Sequence, residues 1–332
     1  MPPRDGFVGA IGATPLIRIP SLSAATGCTI LGKAEHLNPG GSVKDRAARA
    51  IVAAAEAAGR LGGDGPTEIV EGTAGNTGIG LALVARARGY RCTIVMPDNL
   101  APEKIELLRA LGADLHLVPP APFADAGNYY HVARRLAEAR GAFWADQFEN
   151  PANAQAHYDT TGPELLADAG HLDGFVASAG TGGTIAGVSR YLAEAAPAAQ
   201  AWLIDCEGSS LYSHVTRGTL DATGGSVLEG IGIRRITANF AGAKLAGAFV
   251  GTDREAIEMV HWLLARDGLF VGGSAALGCV GAVKLARRLG PGATIATILC
   301  DGAGRYASRL FSAEWLAAKG LTPRATDLSF VA

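Results

Sequence analysis

Charge is scarce in this sequence. Asp, Glu, Lys and Arg make up 18% of its 332 residues, against about 25% in an ordinary soluble domain. Lys and Arg total 29 and Asp and Glu 31, a formal net charge of −2. No basic stripe runs along the chain, which argues against a nucleic-acid groove. Cysteine is sparse too. Cys28, Cys92, Cys206, Cys279 and Cys300 form no C-x-x-C pair, and five is an odd number. Neither a disulfide framework nor a structural zinc site is expected, and no metal is called for. Most of the five stand in apolar runs, where a buried free thiol is the expectation. No run approaches the roughly 18 apolar residues that cross a bilayer. The opening MPPRDGFVGAIGATP lacks the long apolar stretch of a signal peptide. These absences predict a cytoplasmic protein with no membrane partner.

Glycine, by contrast, is abundant: 45 residues of 332, about twice the usual share of roughly 7%. It shows no period of three, so collagen is excluded. Hydrophobic residues reach 48%, which excludes intrinsic disorder and supplies a large core. The apolar pattern alternates short β-branched runs with longer amphipathic stretches. Strands are expected at 67–70, 92–96, 114–118 and near 142–146, with helices at 79–88, 102–111 and 129–140 between them. This β-α-β-α-β order is the mark of a parallel sheet covered by helices. The second half repeats it. Strands are expected at 174–178, 201–206, 269–271 and 294–300, with helices from the 180s to about 195 and at 253–267. The expected fold class is α/β, with two similar doubly wound, mostly parallel lobes and a cleft between them.

Four glycine-rich segments stand out: 38–46 (NPGGSVKDR), 71–80 (EGTAGNTGIG), 180–184 (GTGGT) and 272–278 (GGSAALG). No Gly-Lys-Ser or Gly-Lys-Thr occurs, so a Walker loop is excluded. The GTGGT run lacks the third glycine of G-x-G-x-x-G, so ATP and NAD are both disfavoured. GTGGT still suits an anion. It follows an expected strand and opens an expected helix, where successive N–H groups and the helix dipole favour negative charge. A plain tight turn would need only two glycines. Ser42 and Asp45 form an S-x-x-D capping pattern that puts Lys44 in a first helical turn. That field disfavours a cation and favours the nucleophilic neutral amine. A solvated lysine is the better reading of a lone Lys44. A phosphate-type loop, a reactive lysine and several glycine turns together suit pyridoxal 5′-phosphate.

At these residues the sequence resembles the fold-type II pyridoxal-phosphate enzymes, specifically the cysteine synthase (O-acetylserine sulfhydrylase) and cystathionine β-synthase family. The likeness runs from about Ile11 to Arg309. It rests on GGSVKDR, T-x-GNTGIGLA, QFENPAN, GTGGT and GGSA, in the family's order and spacing. The resemblance implies one enzyme domain over 8–305, with the cofactor in the cleft. Its N-terminal lobe would span about 40–150, its C-terminal lobe about 10–39 plus 151–315, with 316–332 a C-terminal tail. Lys44 would carry the cofactor and later move the substrate Cα proton. Asn76 would hydrogen-bond the ring oxygen. Gly180, Thr181, Gly182, Gly183 and Thr184 would hold the phosphate, and Ser274 would face the pyridine nitrogen. Thr73, Ala74, Gly75 and Thr77 would bind the substrate carboxylate with help from Gln147, and Gly230 would lie near the entrance.

The implied reaction is β-replacement. O-acetyl-L-serine loses acetate to give an aminoacrylate, and sulfide adds to form L-cysteine. A neutral hydroxyl at Ser274 favours loss of a β-substituent over transamination. Two departures stand out. Ala74 replaces the serine of the family's T-S-G-N-T-G loop, which leaves the leaving group open between acetyl, phosphoryl and hydroxyl. CDGAGRY replaces an S-D-S-G-E-R-Y-like run. A synthase of cystathionine or another β-substituted alanine is the alternative, and a homodimer is the implied assembly.

Overall fold

In the computed structural model, residues 3–73, 75–99 and 102–332 are described. Among them lie ten strands: β1 Leu16–Arg18, β2 Thr29–Lys33, β3 Glu68–Gly72, β4 Arg91–Pro97, β5 Asp114–Val118, β6 Phe143–Trp144, β7 Gly174–Ala177, β8 Gln200–Cys206, β9 Gly247–Gly251 and β10 Thr294–Ile298. The helices of twelve or more residues are α1 Lys44–Ala57, α2 Asn76–Arg88, α3 Tyr129–Arg140, α4 Gly183–Ala195, α5 Asp253–Asp267 and α6 Gly273–Leu289. None is long and apolar enough to cross a membrane. The chain divides into two compact units, Met1–Gly12 with Asn38–Ala156, and Ala13–Leu37 with His157–Ala332.

The first unit is built on a four-stranded, wholly parallel sheet in the order β5-β4-β3-β6. Its inner strand β4 is apolar on both faces because both are covered. Ile69, Ile94 and Met96 pack with Ile51, Val52, Leu81 and Val84 from α1 and α2. Their neighbours Val70 and Val95 point the other way, to Ala133 and Ala137 of α3. One apolar run thus serves two cores.

The second unit holds a six-stranded sheet in the order β1-β2-β10-β7-β8-β9. All pairings are parallel except that of β1 with β2. The long helices α5 and α6 supply much of its core, with Met259, Leu263, Leu277 and Val280 all at 0% exposure. The mixed α/β, mostly parallel character expected from the sequence is present in both units.

Two local expectations are corrected. Residues 269–271 form no strand. Only Val271 makes an isolated antiparallel bridge, to Gly302, because the chain turns at once into α6. The Ser42 capping pattern does not form a capping box. The cap position of α1 is Val43, and no side chain bonds it. Ser42 Oγ accepts the Lys44 amide at 3.3 Å, while the Asp45 carboxylate turns back to the Gly40 amide at 2.6 Å. The box appears instead on α5, between Thr252 and Glu255. Strands β1, β2 and β9 were not expected. Residues 316–332 lie on the second unit, where Leu316, Leu321, Leu328 and Val331 enter its core.

All five cysteines are free. Burial pushes the Cys206 thiol up to about 12 and raises Cys92 and Cys279 as well, so these thiols are inert at neutral pH.

Candidate active site

Lys44, the expected cofactor lysine, is the first residue of α1, and its side chain is partly exposed. The first turns of α1 and α2 lie against each other. A Cβ placed on Gly80 would sit 3.3 Å from the Lys44 carbonyl oxygen and 3.2 Å from Ala48 Cβ. Asn76 opens α2, following Gly75 at its cap. Thr73 is buried at the end of β3, and its Oγ1 accepts the Gly75 amide at 3.3 Å. Thr77 Oγ1 donates to Gln147 Oε1 at 2.5 Å. The structure therefore joins Thr77 to Gln147 across 70 positions. Ala74 lies outside the described residues.

Behind Gln147 stands a residue that motif reading passed over. Gln147 Nε2 donates to Glu71 Oε1 at 3.1 Å. Glu71 is 0% exposed, and its Oε2 has no hydrogen-bond partner among the described residues. Burial, reinforced by the Asp146 carboxylate, pushes Glu71 up to about 8, against the pull of hydrogen bonds from Gln147 and from the Asp146 and Gln147 backbone. Asp146 itself has φ 47°, a left-handed backbone uncommon outside glycine and often found at functional sites. The raised Glu71 has a consequence for stability. An unfolded Glu ionises near 4.5, whereas the folded chain keeps the proton to about 8. This contribution is therefore fully present below pH 4.5 and is lost as pH rises through 8. Glu71→Gln should match wild type in urea unfolding at pH 5 and exceed it at pH 8.5 by about 2–4 kcal/mol. Equal pH dependence in both proteins would refute the assignment.

In the second unit, β7 runs into the GTGGT loop and then α4. Gly182 caps α4 with φ 84°, and no side chain caps the helix. A Cβ on Gly180 would fall 2.6 Å from the Gly230 carbonyl oxygen, so the expected entrance residue and the expected phosphate loop are neighbours. Thr181 is held from outside by Thr237 Oγ1, which donates to its carbonyl at 2.7 Å. Thr184 Oγ1 shares a 3.2 Å hydrogen bond with His157 Nε2, while His157 Nδ1 meets Thr161 Oγ1 at 2.9 Å. His157 is 1% exposed and opens a single wide helical turn at His157–Thr161. Neither His157 nor Thr237 carried a sequence signal. The hint of Glu71 was a carboxylate inside an otherwise strand-like run. Ser274 is buried in the first turn of α6, whose cap, Gly272, makes no side-chain cap hydrogen bond. The Gly272 amide donates to the Asp301 carbonyl at 3.0 Å, and the Tyr306 hydroxyl to Asp301 Oδ2 at 2.6 Å.

These residues fit a phosphorylated pyridine cofactor. The N-terminus of α4 offers backbone amides, the threonine hydroxyls of GTGGT and a positive dipole end. Just ahead of it, Ser178 Oγ is buried without a hydrogen-bond partner among the described residues. Ser274 offers the neutral hydroxyl suited to a pyridine nitrogen.

A helix-start lysine in the first unit, and in the second a glycine-rich loop at the carboxyl end of a parallel strand and a buried hydroxyl at a helix N-terminus, are features suited to a cofactor enzyme of the α/β class. The chain belongs to the family described as pyridoxal-phosphate dependent enzyme, whose model matches residues 8–301. It is 51% identical over 324 residues to a cysteine synthase of Dictyostelium discoideum, covering 94% of this chain and 85% of that protein. Among solved structures it is similar to an O-acetylserine dependent cystathionine beta-synthase from Helicobacter pylori. That likeness has a TM-score of 0.83 and 35% identity, and covers 93% of this chain and 99% of that one. An O-ureido-L-serine synthase matches with a TM-score of 0.85 and 34% identity, over 95% and 100% of the two chains.

Proposed function

We propose that this protein is a cysteine synthase, replacing the acetoxy group of O-acetyl-L-serine with sulfide. The near-full-length likeness to a cysteine synthase carries the reading. When bound, pyridoxal phosphate supplies the electron-withdrawing ring that acidifies an amino acid's Cα proton and makes its β-substituent labile. The chain's own residues do the rest. Lys44 Nζ anchors the cofactor and takes the Cα proton. Asn76 holds the ring oxygen, Gly180–Thr184 the phosphate, and Ser274 the ring nitrogen. The turn from Thr73 to Thr77, with Gln147, receives the substrate carboxylate, and Gly230 stands at the entrance. The 8–305 stretch works as one catalytic domain, in a cytoplasmic homodimer.

By their names one solved relative is an O-acetylserine dependent cystathionine synthase and the other makes O-ureido-L-serine, and that favours a second reading, another β-substituted alanine synthase. One assay separates the two. Purified protein loaded with pyridoxal phosphate should form cysteine from O-acetylserine and sulfide. Turnover of serine with homocysteine, and none of O-acetylserine, would overturn the synthase reading. Sedimentation should give twice the 33.9 kDa chain mass.

A further inference from the structure

We propose that Glu71 is a positioning residue for the substrate turn: its carboxyl fixes the direction of the Gln147 amide, and Gln147 in turn fixes the Thr77 hydroxyl. The inference rests on the reading of Thr73–Thr77 as the carboxylate site.

The direction of a glutamine amide is decided by its neighbours. With the acid's proton on Oε2, which has no hydrogen-bond partner among the described residues, Glu71 Oε1 is an acceptor and faces the Nε2 end at 3.1 Å. Oε1 of Gln147 is then left facing Thr77, and the Thr77 hydroxyl must donate to it, at 2.5 Å. The Thr77 proton is thereby committed inside the protein. A substrate carboxylate at this turn is received by the backbone amides at the start of α2, where the helix dipole favours it. The role of Thr77 becomes to hold those amides in place rather than to offer its own proton. Asn153 Nδ2 steadies the same segment by donating to the Gln147 carbonyl at 2.8 Å.

The charge on Glu71 matters for the same reason. As the neutral acid it holds Gln147 without putting a negative charge behind an anionic substrate group. The titratable groups acting on it are Asp146, after β6, and Cys92, on β4. The Asp146 carboxylate opposes ionisation of Glu71, and the buried Cys92 thiol stays neutral. Tyr130 of α3 donates to Asp146 Oδ1 at 3.1 Å and holds that carboxylate in place. Ionised, Glu71 would repel the incoming carboxylate through a medium with little screening.

The test uses the cofactor-loaded protein and L-alanine, which has the α-carboxylate but no leaving group. Calorimetric titration of wild type should show affinity falling about tenfold between pH 7 and pH 9, the cost of one buried like charge. Glu71→Gln keeps an acceptor for Gln147 but cannot ionise, so its affinity should stay flat and close to the wild-type value at pH 7. Glu71→Ala should bind L-alanine weakly at every pH and raise KM for the β-substrate more than it lowers kcat. An alkaline loss of affinity unchanged in Glu71→Gln would overturn the proposal. So would a Glu71→Ala protein with wild-type affinity. Should Glu71→Ala not fold, the wild-type and Glu71→Gln pair decides alone. Because L-alanine has no leaving group, this result stands apart from which β-substrate turns over. Absence of cysteine from O-acetylserine, with the pH effect intact, would remove the synthase reading and leave Glu71 where it is.

Discussion

Lys44→Ala should lower β-replacement by on the order of 10³-fold or more while the protein stays folded. The fold tolerates the change because Lys44 is a partly exposed residue at a helix start, where truncation leaves no cavity. The buried groups of that turn are its neighbours Asp45 and Arg46, both 0% exposed. A surface truncation of this kind moves stability by about 0.5 kcal/mol or less. In the proposed role, activity would depend on the amine itself, as the group that anchors the cofactor and holds the proton taken from Cα. Lys44→Arg should fail as badly, since a guanidinium stays protonated and can neither attach nor accept a proton. The loss therefore follows the chemistry of the amine and not the charge. Borohydride reduction followed by peptide mass spectrometry should place the cofactor on residue 44 of wild type and on no residue of either variant. Retention of wild-type turnover by Lys44→Ala would remove it from the mechanism.

How much of this was readable beforehand depended on distance along the chain. The first unit was legible because strands covered on both faces become continuous apolar runs, as CTIVM does in β4. Helix α3 was expected at 129–140 and spans Tyr129–Arg140. Strand β2 was not readable. Its Lys33 is 0% exposed, and its charge is compensated by Glu164 and Asp168, each at 3.0 Å. Asp168 lies 135 positions away, so a local window sees only a lysine in a glycine-containing run. The site divides in the same way. The GTGGT loop and the helix-start lysine are local patterns, and the helices they open form as expected, whereas the 272–278 run opens helix α6, which no expectation covered. Glu71 and Gln147 meet across 76 positions, and Thr184 and His157 across 27. Such buried polar partners become visible only once the sheet has brought them together. Ser42 shows the converse, since its local pattern yielded to a bond between Asp45 and Gly40.

The second large effect is expected at the proposed phosphate loop, in Gly182→Ala. Gly182 has φ 84° and ψ −11°, so an alanine there adopts a left-handed backbone at about 1–2 kcal/mol. The added methyl would also lie 2.5 Å from Phe240 Cβ, 2.6 Å from its Cα and 2.7 Å from its backbone nitrogen. Two of those atoms are backbone, and rotating the phenyl ring relieves neither contact. Nor can Phe240 retreat easily. It is 3% exposed, and its amide is bound by Thr237 Oγ1, the same hydroxyl that donates to the Thr181 carbonyl. The loop must therefore move, and with it the amides of GTGGT. The combined cost is about 3 kcal/mol or more in urea unfolding. Because a cradle of backbone amides works only when they converge, pyridoxal phosphate should also dissociate at least about tenfold more readily in equilibrium dialysis. Gly218→Ala is the matched control. Gly218 has φ 71° but open space where a Cβ would go, so only the backbone cost of about 1 kcal/mol is expected, with cofactor binding unchanged. If Gly182→Ala is no less stable than Gly218→Ala and holds the cofactor equally well, the GTGGT loop is an ordinary turn and the phosphate is bound elsewhere.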